Sequence, residues 1–458
     1  MRAVVLRDIM SASVARIGAP AFSRIYRFDR ALRRKLTPAG WLVLALGVAG
    51  AVFGLNTRES LIYQVFGLSV GLIAIAALAS VRFGIRARLT RALPRVATAG
   101  APFDYTVTLT NLDDRGYSPV IVEETLDGTR PTAREFVAFK VREDRTRNLF
   151  DRLVGYPRWV NLMRLKAGAF IPPARIEEVP PKQSVTVRMS CTPLRRGELR
   201  FESITLGRPE PLGLMKALRR FPVSESLIVM PRTYPVAPLT LPGNRRLQPG
   251  GVAFAGHVGD AEEFVSLRDY RSGDTPRRIH WKAWARTGRL VIKEYQDEFF
   301  VRHALLLDTF PAGDLAAFEA AVSLAASLVM MPRSNDSLLD LMFVENRMYT
   351  FTQGRGLGAP AELLRVLATV QPSRGKFSEL TEAALLGVSR MSGGICVLLA
   401  WDEARRNLVA NLRGRGIPLR VWVVDDSGTA LDPGPMASDA RNFRVVRSDN
   451  LEQELARP

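Results

Sequence analysis

Cysteine is nearly absent from this chain: 458 residues contain two, Cys191 and Cys396. They stand far apart and in no C-x-x-C spacing, which excludes a disulfide framework and a zinc site and leaves two free thiols. A phosphate-binding loop is missing as well, with no G-x-x-x-x-G-K-[ST] and no G-x-G-x-x-G after a strand-like run. Gly354-Arg-Gly356-Leu-Gly358 follows a hairpin-like stretch and reads as a loop, so ATP or NAD binding by this chain is disfavoured. The densest polar segment, Gly259 to Glu298, has no cysteine, no serine beside a base, and His280 as its one histidine. A lone histidine without an oriented nucleophile makes no catalytic constellation, so no enzyme is expected.

Long uncharged runs are what the chain does have. Thr37 to Thr57 and Ser60 to Val81 are each long enough to cross a hydrocarbon core as a helix. Only Arg58 and Glu59 separate them, which predicts an antiparallel hairpin with both outer ends on one side. Residues 1–35 carry nine Arg or Lys against two Asp, and Arg82, Arg86 and Arg88 follow the second run. The positive-inside rule then puts both termini and everything after residue 82 in the cytoplasm, with the hairpin in the inner membrane. A second span arriving at once argues against a cleaved signal peptide. A buried helical hairpin of a soluble protein would meet the length criterion too, but would not call for basic flanks. Gly50-x-x-x-Gly54 and Gly67-x-x-x-Gly71 offer small-residue faces for close helix packing. The second also spells G-x-S-x-G through Ser69, but a serine in mid-helix lacks the strand and the exposure of a nucleophile elbow.

After the apolar runs the pattern changes to period two, as in Phe103-Asp-Tyr105-Thr-Val107-Thr-Leu109 and Ser184 to Met189. With Val120 to Glu124, Leu199 to Leu206 and Ser226 to Met230, this predicts an antiparallel β-sandwich-like domain over 90–232. Between 130 and 172 the alternation is lost; Arg130 to Lys166 holds ten basic and four acidic residues with Phe150, Tyr156 and Trp159 interleaved. This is an insertion that is solvated or faces anionic lipid. A basic stretch with aromatics could also meet nucleic acid, but no module for that is recognisable and no nucleic acid partner is expected. From about 299 to 448 strands alternate with helices: Val301 to Leu307, Asp314 to Met331, Leu338 to Val344, a hairpin partner at Met348 to Phe351, Ala359 to Val370, Ile395 to Leu399, Asp402 to Leu412 and Leu419 to Val424. That order predicts a doubly wound α/β sheet, with sites beyond the carboxyl ends of its strands at Asp308 and Asp402. Residues 449–458 are left as a tail, as 1–35 are at the other end.

The segment 233–298 joins the two domains. Thr275-Pro276 is a good helix start, which predicts a short helix over Arg277 to Arg286. Arg277 and Arg278 would then sit where the helix dipole disfavours cations, and Asp269, Asp274, Glu262 and Glu263 are the nearest acids to compensate them. Trp281, Trp284 and Ala285 would face a core from one side of that helix. The segment is an internal ion-pair and aromatic clasp, and its exposed arginines alternatively form a docking surface.

Glu263-Phe264, Leu267-Arg268-x-Tyr270, Gly273-Asp274, Arg278-Ile279-x-Trp281, Ala285-Arg286 and Leu290 to Lys293 resemble the signature of a bacterial membrane-protein family, "domain of unknown function 58". Arg196-Gly197 and Glu210-Pro211-Leu212-Gly213-Leu214 are a weaker echo upstream, and the resemblance covers roughly residues 36–430. It implies a C-terminal von Willebrand factor type A-like α/β domain and a partnership with MoxR-type AAA+ ATPases. On that basis Arg268, Asp269, Tyr270, Gly273, Asp274, Arg277, Arg278, Trp281, Ala285 and Arg286 are the signature or docking residues. Type A domains often bind a divalent metal through D-x-S-x-S after the first strand; here Asp308-Thr-Phe310-Pro-Ala312 lacks both serines. Asp308 with Asp402 supplies few oxygens for a hard cation such as magnesium, so no cofactor is expected.

The functional expectation is a membrane-anchored cytoplasmic adaptor or scaffold that works with such an ATPase, and with other membrane proteins encoded nearby, in assembling envelope or membrane complexes. The alternative is a basic membrane-surface protein that binds anionic lipid or nucleic acid, in keeping with the formal net charge of +19. A metal-dependent hydrolase using Asp308 or His280 is a third.

Overall fold

The computed structural model describes residues 21–53, 60–81, 84–128, 131–132, 136, 156–237, 246–247, 263–274, 276, 279–296, 299–311, 315–331, 337–354 and 359–457. It divides into two compact units, Met1–Pro231 and Arg232–Pro458.

The first unit opens with a helix, α1, over residues 21–35, where a basic tail was expected. Phe22 and Tyr26 are spaced to share one face, and that face packs against Trp159, Leu162 and Met163. Two apolar helices follow, α2 (Pro38–Phe53) and α3 (Ser60–Val81). Ile62–Val81 alone among the described residues is long and apolar enough to cross a membrane; α2 is shorter. The packing differs from the expected glycine faces. Gly47 and Gly50 lie against Ser69 and Phe66 of α3, whereas a side chain on Gly67 or Gly71 would meet nothing within 4 Å. Gly54 lies outside the described residues. Ser69 donates to the carbonyl of Val65 at 2.8 Å, so its hydroxyl is spent within its own helix.

Strands β1 (Ala87–Ala92), β2 (Val96–Thr98), β3 (Phe103–Asn111) and β4 (Val120–Leu126) come next, then helix α4 (Tyr156–Ala167). They are followed by β5 (Ala169–Phe170), β6 (Ala174–Ile176), β7 (Ser184–Pro193), β8 (Gly197–Pro209) and β9 (Lys216–Met230). Two sheets result, ordered β1-β3-β7-β5 and β2-β9-β8-β4-β6. Alternation puts Tyr105, Val107, Leu109, Met189 and Cys191 from the first against Val122, Phe201, Ile204 and Leu206 from the second. Each such side chain buried from water contributes roughly 1.5–3 kcal/mol. Strand β9 begins ten residues before the sequence pattern shows it. Its first part is polar and contains Pro222, and the pairing with β8 shifts register there, between Phe201 and Ser203. One charged pair lies inside this unit: Arg91 grips Glu124 at 2.9 and 2.8 Å, Tyr105 donates to Glu124 at 3.2 Å, and the guanidinium lies 4.6 Å from the Phe201 ring centre.

The turn between β8 and β9 holds the helices to the sandwich. Glu210 is buried, and its carboxylate accepts the N–H groups of Leu212 (2.5 Å), Leu214 (2.6 Å) and Met215 (3.1 Å). The carbonyl of Leu214 so presented accepts the Thr37 N–H at 3.0 Å, and the carbonyls of Gly213 and Leu214 accept its hydroxyl at 2.5 and 3.1 Å. Gly40 passes so close that a Cβ there would lie 2.0 Å from the Leu214 oxygen. The upstream family echo, Glu210 to Leu214, is thus a bracket for the foot of α2.

In the second unit β10 (Arg246–Leu247), β11 (Glu263–Asp269), α5 (Trp281–Thr287) and β12 (Val291–Gln296) precede β13 (Phe299–Leu307). Then come α6 (Leu315–Met330), β14 (Ser337–Val344), β15 (Met348–Gln353), α7 (Pro360–Thr369) and α8 (Phe377–Gly387). The chain ends with β16 (Gly393–Leu398), α9 (Glu403–Gly414), β17 (Leu419–Val424), β18 (Phe443–Val446) and α10 (Leu451–Ala456). The sheet order is β15-β14-β13-β16-β17-β18, parallel except for β15, with β10 paired antiparallel to the start of β13. Its inner strands are mostly apolar because both faces are covered, with Arg302, His303, Asp340 and Arg420 as the interruptions. Leu305, Leu307, Ile395, Val397, Trp422 and Val424 meet α6, α7 and α10; Ala304, Leu306, Cys396, Leu398, Val421 and Val423 meet α8 and α9. Residues expected as a C-terminal tail carry α10, whose Leu451 and Leu455 are buried in the first of these layers. Burial pushes the thiols of Cys191 and Cys396 up to about 12, so both are inert as nucleophiles.

Replacing Glu210 with alanine strands the buried N–H groups of Leu214 and Met215 and the part-buried one of Leu212. Thermal unfolding of the full chain in mild detergent should show a loss of about 2–4 kcal/mol, whereas alanine at Glu202, whose pairing with Arg220 is exposed on both sides, should change little.

Candidate functional site

In the α/β sheet β13 is followed on one side by β14, and the chain then crosses to β16 on the other side, so the connections reverse between β13 and β16. The crevice beyond the carboxyl ends of these two strands is the usual ligand position in such sheets. Asp308, the first residue after β13, is fully buried there. Its Oδ1 accepts the Phe310 N–H at 2.9 Å and its Oδ2 the Leu399 N–H at 3.0 Å. Arg405 donates to the same carboxylate, Nε to Oδ2 at 2.9 Å and Nη2 to Oδ1 at 3.4 Å. That guanidinium also donates through Nη1 to Asp402 Oδ2 at 2.6 Å and through Nη2 to the Phe310 carbonyl at 3.0 Å, and it lies 4.4 Å from the Phe377 ring centre.

Asp402 is the N-cap of α9, accepting the Arg405 N–H at 3.0 Å. The two acids singled out from the sequence therefore do come together, but around a guanidinium that sequence reasoning passed over. The signal was present: an arginine in the first turn of a helix opposes the dipole and needs acidic company, and Asp402 stands three residues earlier. Burial lifts the Asp308 carboxyl above its ordinary value, against the pull of Arg405 and the two backbone N–H groups. Burial would lower Arg405, yet Asp308 and Asp402 hold it above its usual value. Thr309, standing beside Asp308 in the degenerate motif, gives its hydroxyl to the Val344 carbonyl, and its own carbonyl accepts the Ser373 N–H at 2.7 Å. Among the described residues no three His, Cys, Asp or Glu are grouped as metal ligands would be.

The signature segment forms a small module of its own. Strands β11 and β12 pair antiparallel from Glu263↔Gln296 to Asp269↔Val291, and the connection between them carries α5. Arg268 grips Asp274 in bidentate fashion at 2.8 and 2.7 Å, and Asp274 also accepts the Arg271 N–H at 2.8 Å. The hydrogen bonds from Arg268 and from that N–H hold the Asp274 carboxyl down at about 2. Gly273 has φ +106°, which explains glycine in this turn. Asp269 is exposed, and its carbonyl accepts from Arg268 at 3.2 Å. Tyr270 N–H donates to the Leu290 carbonyl at 3.0 Å, and His280 N–H to that of Val291 at 2.8 Å, which ties the loop to β12.

Two expectations are corrected here, the bounds of the helix and the facing of its tryptophans. The helix is Trp281–Thr287, later than Arg277–Arg286, because His280 Nδ1 caps it by accepting the Ala283 N–H at 2.9 Å. Of the four acids named for the first-turn arginines, Asp274 is held by Arg268; Arg277, Arg278, Thr275 and Glu262 lie outside the described residues, and so does the pairing expected of them. Trp281 and Trp284 do not face a core: they are 56% and 44% exposed, set edge to face with ring centres 5.7 Å apart. Ala285 and Arg286 are exposed too, and α5 has no buried residue. Among the described side chains of the module, Ile279 and Ile292, bridged across it, are the buried ones.

Residues 266–432, from within this module to beyond β17, match the family model described as "Protein of unknown function DUF58". The chain is similar to uncharacterized protein YeaD of Bacillus subtilis (strain 168), 30% identical over 154 residues. That match takes in 32% of this chain and 36% of the relative, so the likeness spans about a third of each. Two structures of proximal thread matrix protein 1 from the mussel byssus, one titled as having a zinc-occupied MIDAS motif, are 12% identical over 34% of the chain. Their TM-score of 0.26 is too low to bear on this fold.

Arg405→Met leaves the Asp308 carboxylate buried without its cation, at a cost of about 3–5 kcal/mol. Hydrogen exchange protection of the β13 and β16 amides should fall on the order of 100-fold, and Asp308→Asn combined with Arg405→Met should recover most of it.

Proposed function

We propose that this chain is a membrane-anchored adaptor whose signature module docks onto an AAA+ ATPase of the MoxR type during assembly or maturation of envelope or membrane complexes. The class of partner comes from the family resemblance; the observation that carries the docking role is the exposed pair Trp281 and Trp284. Large aromatics are costly to leave in water, and tryptophan, tyrosine and arginine dominate the energetics of protein interfaces. Leu267, Tyr270 and Leu290 are exposed in the same module, with Arg271, Lys282, Arg286 and Arg289 also in water. An acidic partner surface with an apolar centre suits this composition.

In this reading both apolar helices span the inner membrane as a hairpin, and both units work in the cytoplasm. The exposed apolar side chains of α3, among them Leu68, Ile75, Leu78 and Val81, support it. The α/β layer is a type A-like domain that works without a bound metal, because the Asp308 oxygens are engaged by Arg405 and two backbone N–H groups. No catalytic step is assigned to it.

The test is binding of a purified MoxR-type ATPase to the full chain in mild detergent. Trp281→Ala with Trp284→Ala should weaken it by roughly 30-fold or more, about 2 kcal/mol, while Leu386→Ala, at an exposed position on α8, should leave it unchanged. Equal affinity of all three proteins would sink the docking role.

A further inference from the structure

Four arginines of the first unit line a cavity. It measures about 560 Å3 and opens between α1, α4 and the sandwich, lined by Arg30, Arg33, Arg34 and Arg164 with Tyr26 and Tyr156. Two of these arginines are already neutralised: Arg33 holds Asp29 at 2.8 Å and Arg34 holds Glu123 at 2.6 Å. The remaining lining carboxylate, Glu124, is gripped by Arg91. Among the described residues Arg30 and Arg164 have no carboxylate partner, so two of the lining guanidiniums are uncompensated there. The Tyr156 hydroxyl is buried with no hydrogen-bond partner there. Two guanidinium forks and a phenol suit the several oxygens and the one or two charges of a phosphate ester.

The surroundings fit a lipid as the bearer of that phosphate. Arg34 stands four residues before Pro38, where α2 starts, and the bracket at Glu210 fixes that junction to the sandwich. Phe28 and Ile25 of α1 are 70% and 51% exposed, between Arg24, Arg27 and Arg30. Basic side chains around exposed apolar ones on a helix next to a membrane span are the composition of an interfacial helix. Sequence reading gave a general lipid-facing character to the 130–172 segment. The structure instead pairs one residue of it, Arg164, with Arg30 of a helix more than a hundred residues upstream.

We infer that this cavity binds a phosphate ester, presented as the headgroup of an anionic lipid at the membrane surface, an inference that rests on the membrane reading above. Whether the full chain stays in the membrane pellet on alkaline extraction tests that reading alone, since Arg30 and Arg164 lie outside the apolar helices. The cavity is tested with the full chain in mild detergent, titrated separately with short-chain phosphatidylglycerol, short-chain phosphatidylcholine, glycerol 3-phosphate and inorganic phosphate. Phosphatidylglycerol should bind, and Arg30→Gln with Arg164→Gln should weaken it about tenfold or more. The charge-matched pair Arg88→Gln with Arg188→Gln, exposed on the sandwich and away from the cavity, should not. Binding of glycerol 3-phosphate or inorganic phosphate with the same loss in the cavity variant upholds the site with a soluble ester or phosphate as its source. The inference is overturned if none of the phosphates binds, if phosphatidylcholine binds as well as phosphatidylglycerol, or if both variant pairs lose affinity equally. Both cavity residues are exposed, so the glutamine variants should fold; the melting temperature checks this.

Discussion

At the switch point of the α/β sheet Asp308 is buried with both oxygens engaged, and the guanidinium of Arg405 is what makes that burial tolerable. An isolated carboxylate in such a place would cost several kcal/mol. Here four donors surround it, and one cationic side chain joins the end of β13 to the cap of α9 and the ring of Phe377. The strands on either side, β13 and β16, are registered by their parallel backbone ladder from His303↔Gly393 to Leu307↔Val397, with the Arg302 N–H donating to the Ser392 hydroxyl at 3.1 Å at its start. The Asp308 cluster adds side-chain ties beyond the carboxyl ends of the same two strands. Thr309, tied to Val344 and Ser373, extends the same network to β14 and the approach to α8.

Closing this crevice has a consequence for function. The place where doubly wound sheets usually hold a ligand is filled by the protein's own ion pair, while the signature module leaves two tryptophans in water. That module is small: two strands, a seven-residue helix and, among its described side chains, one bridged isoleucine pair inside. Its geometry is set by polar means, the Arg268–Asp274 fork, the Gly273 turn and the His280 cap, which frees its tryptophans from packing duty. The same economy marks the first unit, where Glu210 organises a turn whose carbonyls hold the start of the apolar helices.

Much of this was legible beforehand. The alternation of β3 and β7, the continuous runs of β13, β16 and β17, and the acidic start of α9 each follow from one period or one cap. What was not legible depends on long-range partners. Pro222 and the polar residues around it hide the first part of β9, because its strand character comes from pairing with β8. Trp281 and Trp284 carry a core-like composition, and composition alone cannot distinguish an exposed tryptophan from a buried one. Arg405 was missed because attention to Asp308 and Asp402 as oxygen ligands asked which cation they would recruit, and the cation was covalently part of the chain.

That substitution of a side chain for an ion is the central claim, and titration with manganese tests it most directly. Followed by paramagnetic relaxation on the full chain, the wild-type protein should show no manganese signal that depends on Asp308. A saturable site in the wild type that disappears in Asp308→Asn would contradict the account, because it would mean that Arg405 yields its place to a metal.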